Sequence, residues 1–152
     1  MRVRVELMDG ENEEIVIRCR ELDSRVQELE RLLSGVVFKS GDLLLYREST
    51  EYYLPKSEIL YFEARDGKVW AHTVDGVYRA EYRLFELEEI MPVYFVRISK
   101  SEIANIKRIA SLRRELTGNG EITFFGCDKR TFFSRGYYKT LKDKIDEVRF
   151  GK

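Results

Sequence analysis

Histidine, cysteine and proline are scarce in this chain: of 152 residues, one is His, two are Cys and two are Pro. Metal centres are built from clustered His and Cys at short spacings. Cys19 and Cys127 stand far apart and His72 is alone, so neither a zinc site nor a disulfide framework is encoded. That cysteine usage fits a reducing cytoplasm. Long apolar runs are missing as well. "GVVF" and "LLLY" are the longest, far short of the ~18 residues that cross a bilayer, and nothing at the start reads as a secretory signal. The expectation is a cytoplasmic chain that does not itself span a membrane. No Gly-rich phosphate loop or nucleophile elbow occurs. His72 lies in "KVWAHTV", which alternates like a strand, and a lone His beside Trp70 reads as structural or exposed rather than as a general base. No enzymatic activity, metal or cofactor is expected.

Charge, in contrast, is plentiful. Charged residues make up 36% of the chain and hydrophobic residues 43%, with a formal net charge of zero. This is enough apolar material for one compact domain with a small appendage. The zero conceals an asymmetry: residues 1–96 carry 13 Lys/Arg against 20 Asp/Glu, and residues 97–152 carry 14 against 7. A net of −7 followed by +7 suggests a basic working surface on an acidic remainder, which is compatible with a nucleic-acid partner.

Hydrophobic periodicity changes twice along the chain. "MRVRVEL" at 1–7 and "EEIVIRC" at 13–19 alternate with period two around "DGEN" and predict a hairpin. From Glu21 to Leu33 the apolar residues Leu22, Val26, Leu29, Leu32 and Leu33 fall on one helical face, with Gly35 placed as a C-terminal cap. Residues 1–50 are therefore expected to form a strand-strand-helix unit suited to dimerisation or partner binding, and residues 51–152 a second domain. In that second part short strands are separated by the turn signals "RDG", "VDG" and "TGNG". A short helix is expected over 82–90 and an amphipathic one over 136–148, with Tyr138, Leu141, Ile145 and Val148 on its inner face. The fold class predicted is mainly antiparallel β with minor α.

Two polar segments resist a core interpretation. "VRISKSEIAN" joins two expected strands through Arg97, Ser99, Lys100 and Ser101 and ends on Asn105, followed by Lys107. Such a loop offers hydroxyls and cations to phosphates, and an Asn amide to a base edge. The same residues equally describe a solvated β-turn in which Asn105 caps the turn that follows. "TFFSRGYY" puts Ser134 and Arg135 at a strand end, where the Arg either forks onto a guanine or is an ordinary exposed terminus.

In order along the chain, "ILYFEARDGKVWAHTVDGVY", "LFELEEI", "FVRISKSEIANIKRIASL", a Gly-containing turn and "FFSRGYYKTLKDKI" together resemble the LytTR family of bacterial DNA-binding domains, from about Leu54 to Ile145. The resemblance implies an elongated stack of small antiparallel sheets that reads double-stranded DNA with loop residues rather than a recognition helix. It assigns Asn105 and Arg135 to base edges or neighbouring phosphates in the major groove, and Arg97, Ser99, Lys100 and Lys107 to the DNA backbone, with Ser101 and Ser134 in the same phrases. A further family contact comes from the "FEA" hairpin, where Arg65 or Lys68 would substitute and Asp66 would repel phosphate. About 50 residues precede the match, too few for a receiver domain. The resemblance is thus to small stand-alone regulators, expected as homodimers and controlled by a membrane-embedded partner, oligomerisation or expression level. The rival reading is a protein-interaction module using the N-terminal unit and sheet edges.

Overall fold

The computed structural model describes residues 16–38 and 41–151. Contacts divide the chain into two units, Met1–Val36 and Val37–Lys152. In the first, helix α1 (Ser24–Phe38) starts where Asp23 accepts a hydrogen bond from the Val26 backbone N–H at 3.0 Å, an N-cap that satisfies one of the unpaired donors of the first turn. Val26 is buried, whereas Leu22 and Leu32 are exposed. The helix runs through Gly35, so the expected cap there is corrected. The hairpin predicted from residues 1–19 lies mostly outside the described residues, and residues 16–19 carry no regular structure.

The second unit begins before the boundary expected after residue 50. Strand β1 (Asp42–Arg47) pairs with β2 (Thr50–Pro55), and Tyr46 of β1 lies opposite Arg79 of β5 (Val77–Ala80). That pairing ties residues 42–50 to the larger unit. The remaining strands are β3 (Ile59–Arg65), β4 (Lys68–Thr73), β6 (Phe95–Ser99) and β7 (Glu102–Asn105), followed by β8 (Ile109–Arg114), β9 (Gly120–Phe124) and β10 (Arg130–Phe133). They form a seven-stranded sheet in the order β2-β1-β5-β4-β3-β7-β6 and a three-stranded sheet in the order β10-β9-β8. Every pairing is antiparallel. The mainly β, antiparallel class predicted from the pattern is the one observed.

The run "ILYF" at the start of β3 explains how the layers are held. All four side chains are buried, as a strand covered on both faces requires. Pairing with β4 shifts register between Ile59 and Tyr61, a bulge. Ile59 and Phe62 pack with Leu84 and Leu87 of α2 (Leu84–Ile90) and with Met91 just after it. Leu60 and Tyr61 join Ile98, Ile122 and Phe133 with Leu141 and Ile145 of α3 (Tyr138–Phe150). At the β3–β4 turn Asp66 and Gly67 have φ of 53° and 75°, the left-handed pair that a two-residue hairpin needs. Among the described residues no helix is long and apolar enough to cross a membrane.

Candidate nucleic-acid interface

Strand direction brings three polar segments to one end of the larger unit. Glu63 of β3 lies opposite Glu102 of β7, so the end of β3 and its turn at 66–67 stand beside the β6–β7 turn at 100–101. The Ala64 backbone N–H donates to the Ser101 carbonyl at 2.7 Å. The strand end after β10 joins them, because the Ser134 N–H donates to the Ile98 carbonyl at 2.9 Å, one residue before Ser99. Arg65, Lys68, Lys100, Ser101 and Arg135 are exposed there, and Ser99 and Ser134 are half-buried. These seven residues, placed in three separate stretches by the sequence, form one surface.

Each turn is built on a fixed base. Arg97 forks across the β6–β7 turn, its Nε donating to the Ser99 carbonyl at 2.9 Å and Nη2 to the Lys100 carbonyl at 2.7 Å. Its remaining nitrogen is bound by Glu88 of α2. The Ser101 N–H donates to Ser99 Oγ at 3.2 Å. The Lys100 side chain, with no hydrogen-bond or ionic partner among the described residues, is left at the tip. Arg65 folds back along its strand, with Nη1 3.4 Å from Glu63 Oε1 and its guanidinium 6.0 Å from the Trp70 ring centre. Lys68 projects from the other side of the turn.

Three of the expected contact residues stand elsewhere or are occupied. Asn105 was expected at the surface, but its exposure is 1%. Its Nδ2 donates to the Ile59 carbonyl at 2.9 Å and the Ser57 carbonyl at 3.3 Å, while Oδ1 accepts from the Lys107 N–H at 3.0 Å. A buried amide with both ends engaged has nothing to offer a base, and four residues of strand put it roughly 13 Å from Ser101. Its position opposite Phe95 is the far end of the β6–β7 hairpin. Lys107 is exposed at that same far end, its Nζ 4.4 Å over the Tyr94 ring. Arg97 is only partly exposed and its guanidinium is spent on the turn and on Glu88. It is a brace beneath the surface, where a backbone contact was expected.

Beneath the turns lies a group of polar side chains that pattern reading passed over. Glu63 and Glu102 face each other across β3 and β7. Glu102 also accepts from the Thr131 hydroxyl. Burial is the main reason the Glu102 carboxyl is pushed up to about 7, with Glu63 adding to it and Thr131 opposing. His72 stacks on Tyr61 with ring centres 4.2 Å apart, and its Nε2 is buried without a hydrogen bond. Burial first, then Lys129 and Arg65, hold its pKa down to about 4. Near neutral pH the imidazole is uncharged. The sequence signal for this group was Glu102 itself, a carboxylate in the first position of a short strand, directly after the polar turn.

A family model described as the LytTr DNA-binding domain matches residues 49–146. An uncharacterized HTH-type transcriptional regulator of Staphylococcus aureus strain NCTC 8325 is 29% identical over 147 residues, covering 95% of this chain and 98% of that protein. A similarly named protein of strain MSSA476 is 31% identical over 132 residues, covering 86% and 88%. Among solved structures, the LytTr DNA-binding domain of a Bacillus cereus protein superposes with a TM-score of 0.64 at 21% identity, covering 69% of this chain and 96% of that one.

Proposed function

Since the chain belongs to the LytTR family of DNA-binding domains, we propose that it is a transcription regulator that reads duplex DNA with the three clustered turns, entering the major groove. The observation that carries this reading is the contrast at that end of the unit: Lys68, Lys100 and Arg135 are exposed and their charged ends lack partners among the described residues, while Arg97 fixes the turn from behind. The roles follow from the chemistry. Arg135 supplies the planar fork that matches a guanine edge. Lys68 and Lys100 are point charges that hold phosphates and carry no sequence information. The hydroxyls of Ser99, Ser101 and Ser134 add phosphate hydrogen bonds at the rim. The named relatives are HTH-type regulators, yet among the described residues α2 and α3 are separated by five strands, and both pack on sheets. This arrangement supports reading by loops.

The test is the salt dependence of duplex binding. With Lys68 and Lys100 at phosphates, log K should fall against log salt with a slope of roughly −2, and Lys100→Ala should flatten it by about one unit while weakening all duplexes alike. A slope near zero for the intact chain would overturn the reading.

A further inference from the structure

Arg135 owes its placement to a different part of the chain, the hairpin turn between β8 and β9. The turn is closed twice: the Gly118 N–H donates to the Glu115 carbonyl at 2.9 Å, and the Glu115 N–H to the Asn119 carbonyl at 2.8 Å. Gly118 has φ +90° and is buried. A Cβ built there would come within 2.6 Å of Arg135 Cδ and 2.7 Å of Cγ, so the aliphatic stem of Arg135 lies directly on the Gly118 backbone. The neighbouring residue completes the seat. Asn119 Oδ1 accepts the Arg135 backbone N–H at 2.7 Å, which is the first N–H of the 3-10 turn Arg135–Tyr137 and would otherwise have no intrahelical partner.

From this seat we infer that Gly118 and Asn119 are positioning residues for sequence recognition: the β8–β9 turn aims the Arg135 guanidinium, so that base preference depends on a turn that need not touch the base. The inference rests on the DNA-reading role given above to Arg135, and it makes a separate claim about what sets that side chain's direction. An Arg stem has several rotatable bonds, and a two-donor contact to a base edge tolerates little misalignment. Two constraints act on it here, one on the backbone N–H and one along the stem. Each comes from a residue type suited to it: Gly118 has no Cβ to collide with the stem and takes positive φ without strain, and Asn119 carries a short acceptor.

The experiment uses the whole chain. Duplexes are first recovered from a random pool by the unaltered protein, and affinity for a recovered duplex is then compared with affinity for a scrambled one. Arg135→Ala should reduce that preference roughly 5- to 150-fold, the worth of one bidentate base contact. Asn119→Ala and Gly118→Ala should each reduce it at the same base positions while leaving affinity for the scrambled duplex within about 2-fold, since the phosphate contacts of Lys68 and Lys100 persist. In an Arg135→Ala background, Asn119→Ala should change the preference no further, because a residue that only aims a side chain has no effect once that side chain is gone. The inference is overturned if Asn119→Ala and Gly118→Ala keep full preference while Arg135→Ala loses it, or if Asn119→Ala costs as much preference with Arg135 absent as with it present. If Arg135→Ala itself leaves preference intact, the base-reading role of Arg135 falls and the inference falls with it. A salt slope near zero for the unaltered chain is the separate failure of DNA binding altogether.

Discussion

Removing either His72 or Glu102 should expose a pH dependence of stability that the pair conceals. The folded protein holds the Glu102 proton up to about pH 7, whereas an unfolded chain releases it near 4.5. Its stabilising contribution is therefore full below pH 4.5 and is lost as pH rises through 7. His72 runs the other way: its pKa is near 6.5 unfolded and about 4 folded, so its contribution is present above 6.5 and lost as pH falls through 4. Between 4.5 and 6.5 the two slopes oppose and nearly cancel. At 1.36 kcal/mol per unit each shift corresponds to about 3 kcal/mol, and solvent access at the rim of the cluster reduces this to about 1–2 kcal/mol. The groups facing the pair are Glu63 and Arg65 on β3, Lys129 and Thr131 at β10, and Tyr61 beneath the imidazole.

The variants follow from the contacts. Glu102→Gln keeps an oxygen for the Thr131 hydroxyl, and it removes the titration. His72→Phe keeps the stack on Tyr61 and gives up no hydrogen bond, since Nε2 makes none. Urea unfolding of the three proteins, followed by Trp70 fluorescence across pH 4.5 to 7, isolates each term in the difference from the unaltered chain. Relative to that chain, Glu102→Gln should gain about 1–2 kcal/mol as pH rises and His72→Phe should lose about the same. Difference curves that are flat for both variants would refute the argument, because they would mean that neither group changes its proton affinity on folding.

Two further perturbations separate structural from recognition roles. Asn105→Ala strips the donor from the Ile59 carbonyl and the acceptor from the Lys107 N–H, and should cost about 2–3 kcal/mol in urea unfolding while the ratio of affinities for recovered and scrambled duplexes stays unchanged; a loss of that ratio with full stability would reverse the assignment. Arg97→Ala should loosen the Lys100 turn and weaken binding to all duplexes about 5-fold, roughly 1 kcal/mol. Arg97→Lys should not restore it, because one ammonium cannot serve the Ser99 and Lys100 carbonyls and Glu88 in the fork geometry seen here; wild-type affinity in either variant would show that the brace is dispensable.

The parts legible in the sequence were those in which the physical cause is local. The "RDG" turn needs two left-handed residues, and Asp66 and Gly67 supply them. The period of α3 placed Leu141 and Ile145 inward, because a 3.6-residue repeat maps directly onto one buried face. Gly35 misled because a glycine tolerates a helix interior at a cost of about 1 kcal/mol. The boundary expected after residue 50 cuts the β1–β2 hairpin, and β1 also lies opposite β5 through Tyr46 and Arg79, more than 30 residues apart, a pairing that leaves no mark in a short window. Asn105 and Arg97 depart from the expected exposure for one shared reason, which is that polarity specifies a need for hydrogen bonds and not the direction in which they are found. Asn105 meets its need inward, on the carbonyls of Ser57 and Ile59, and Arg97 meets it sideways along its own hairpin. On the surface formed by the three turns, the cations whose charged ends the fold leaves without a partner are Lys68, Lys100 and Arg135.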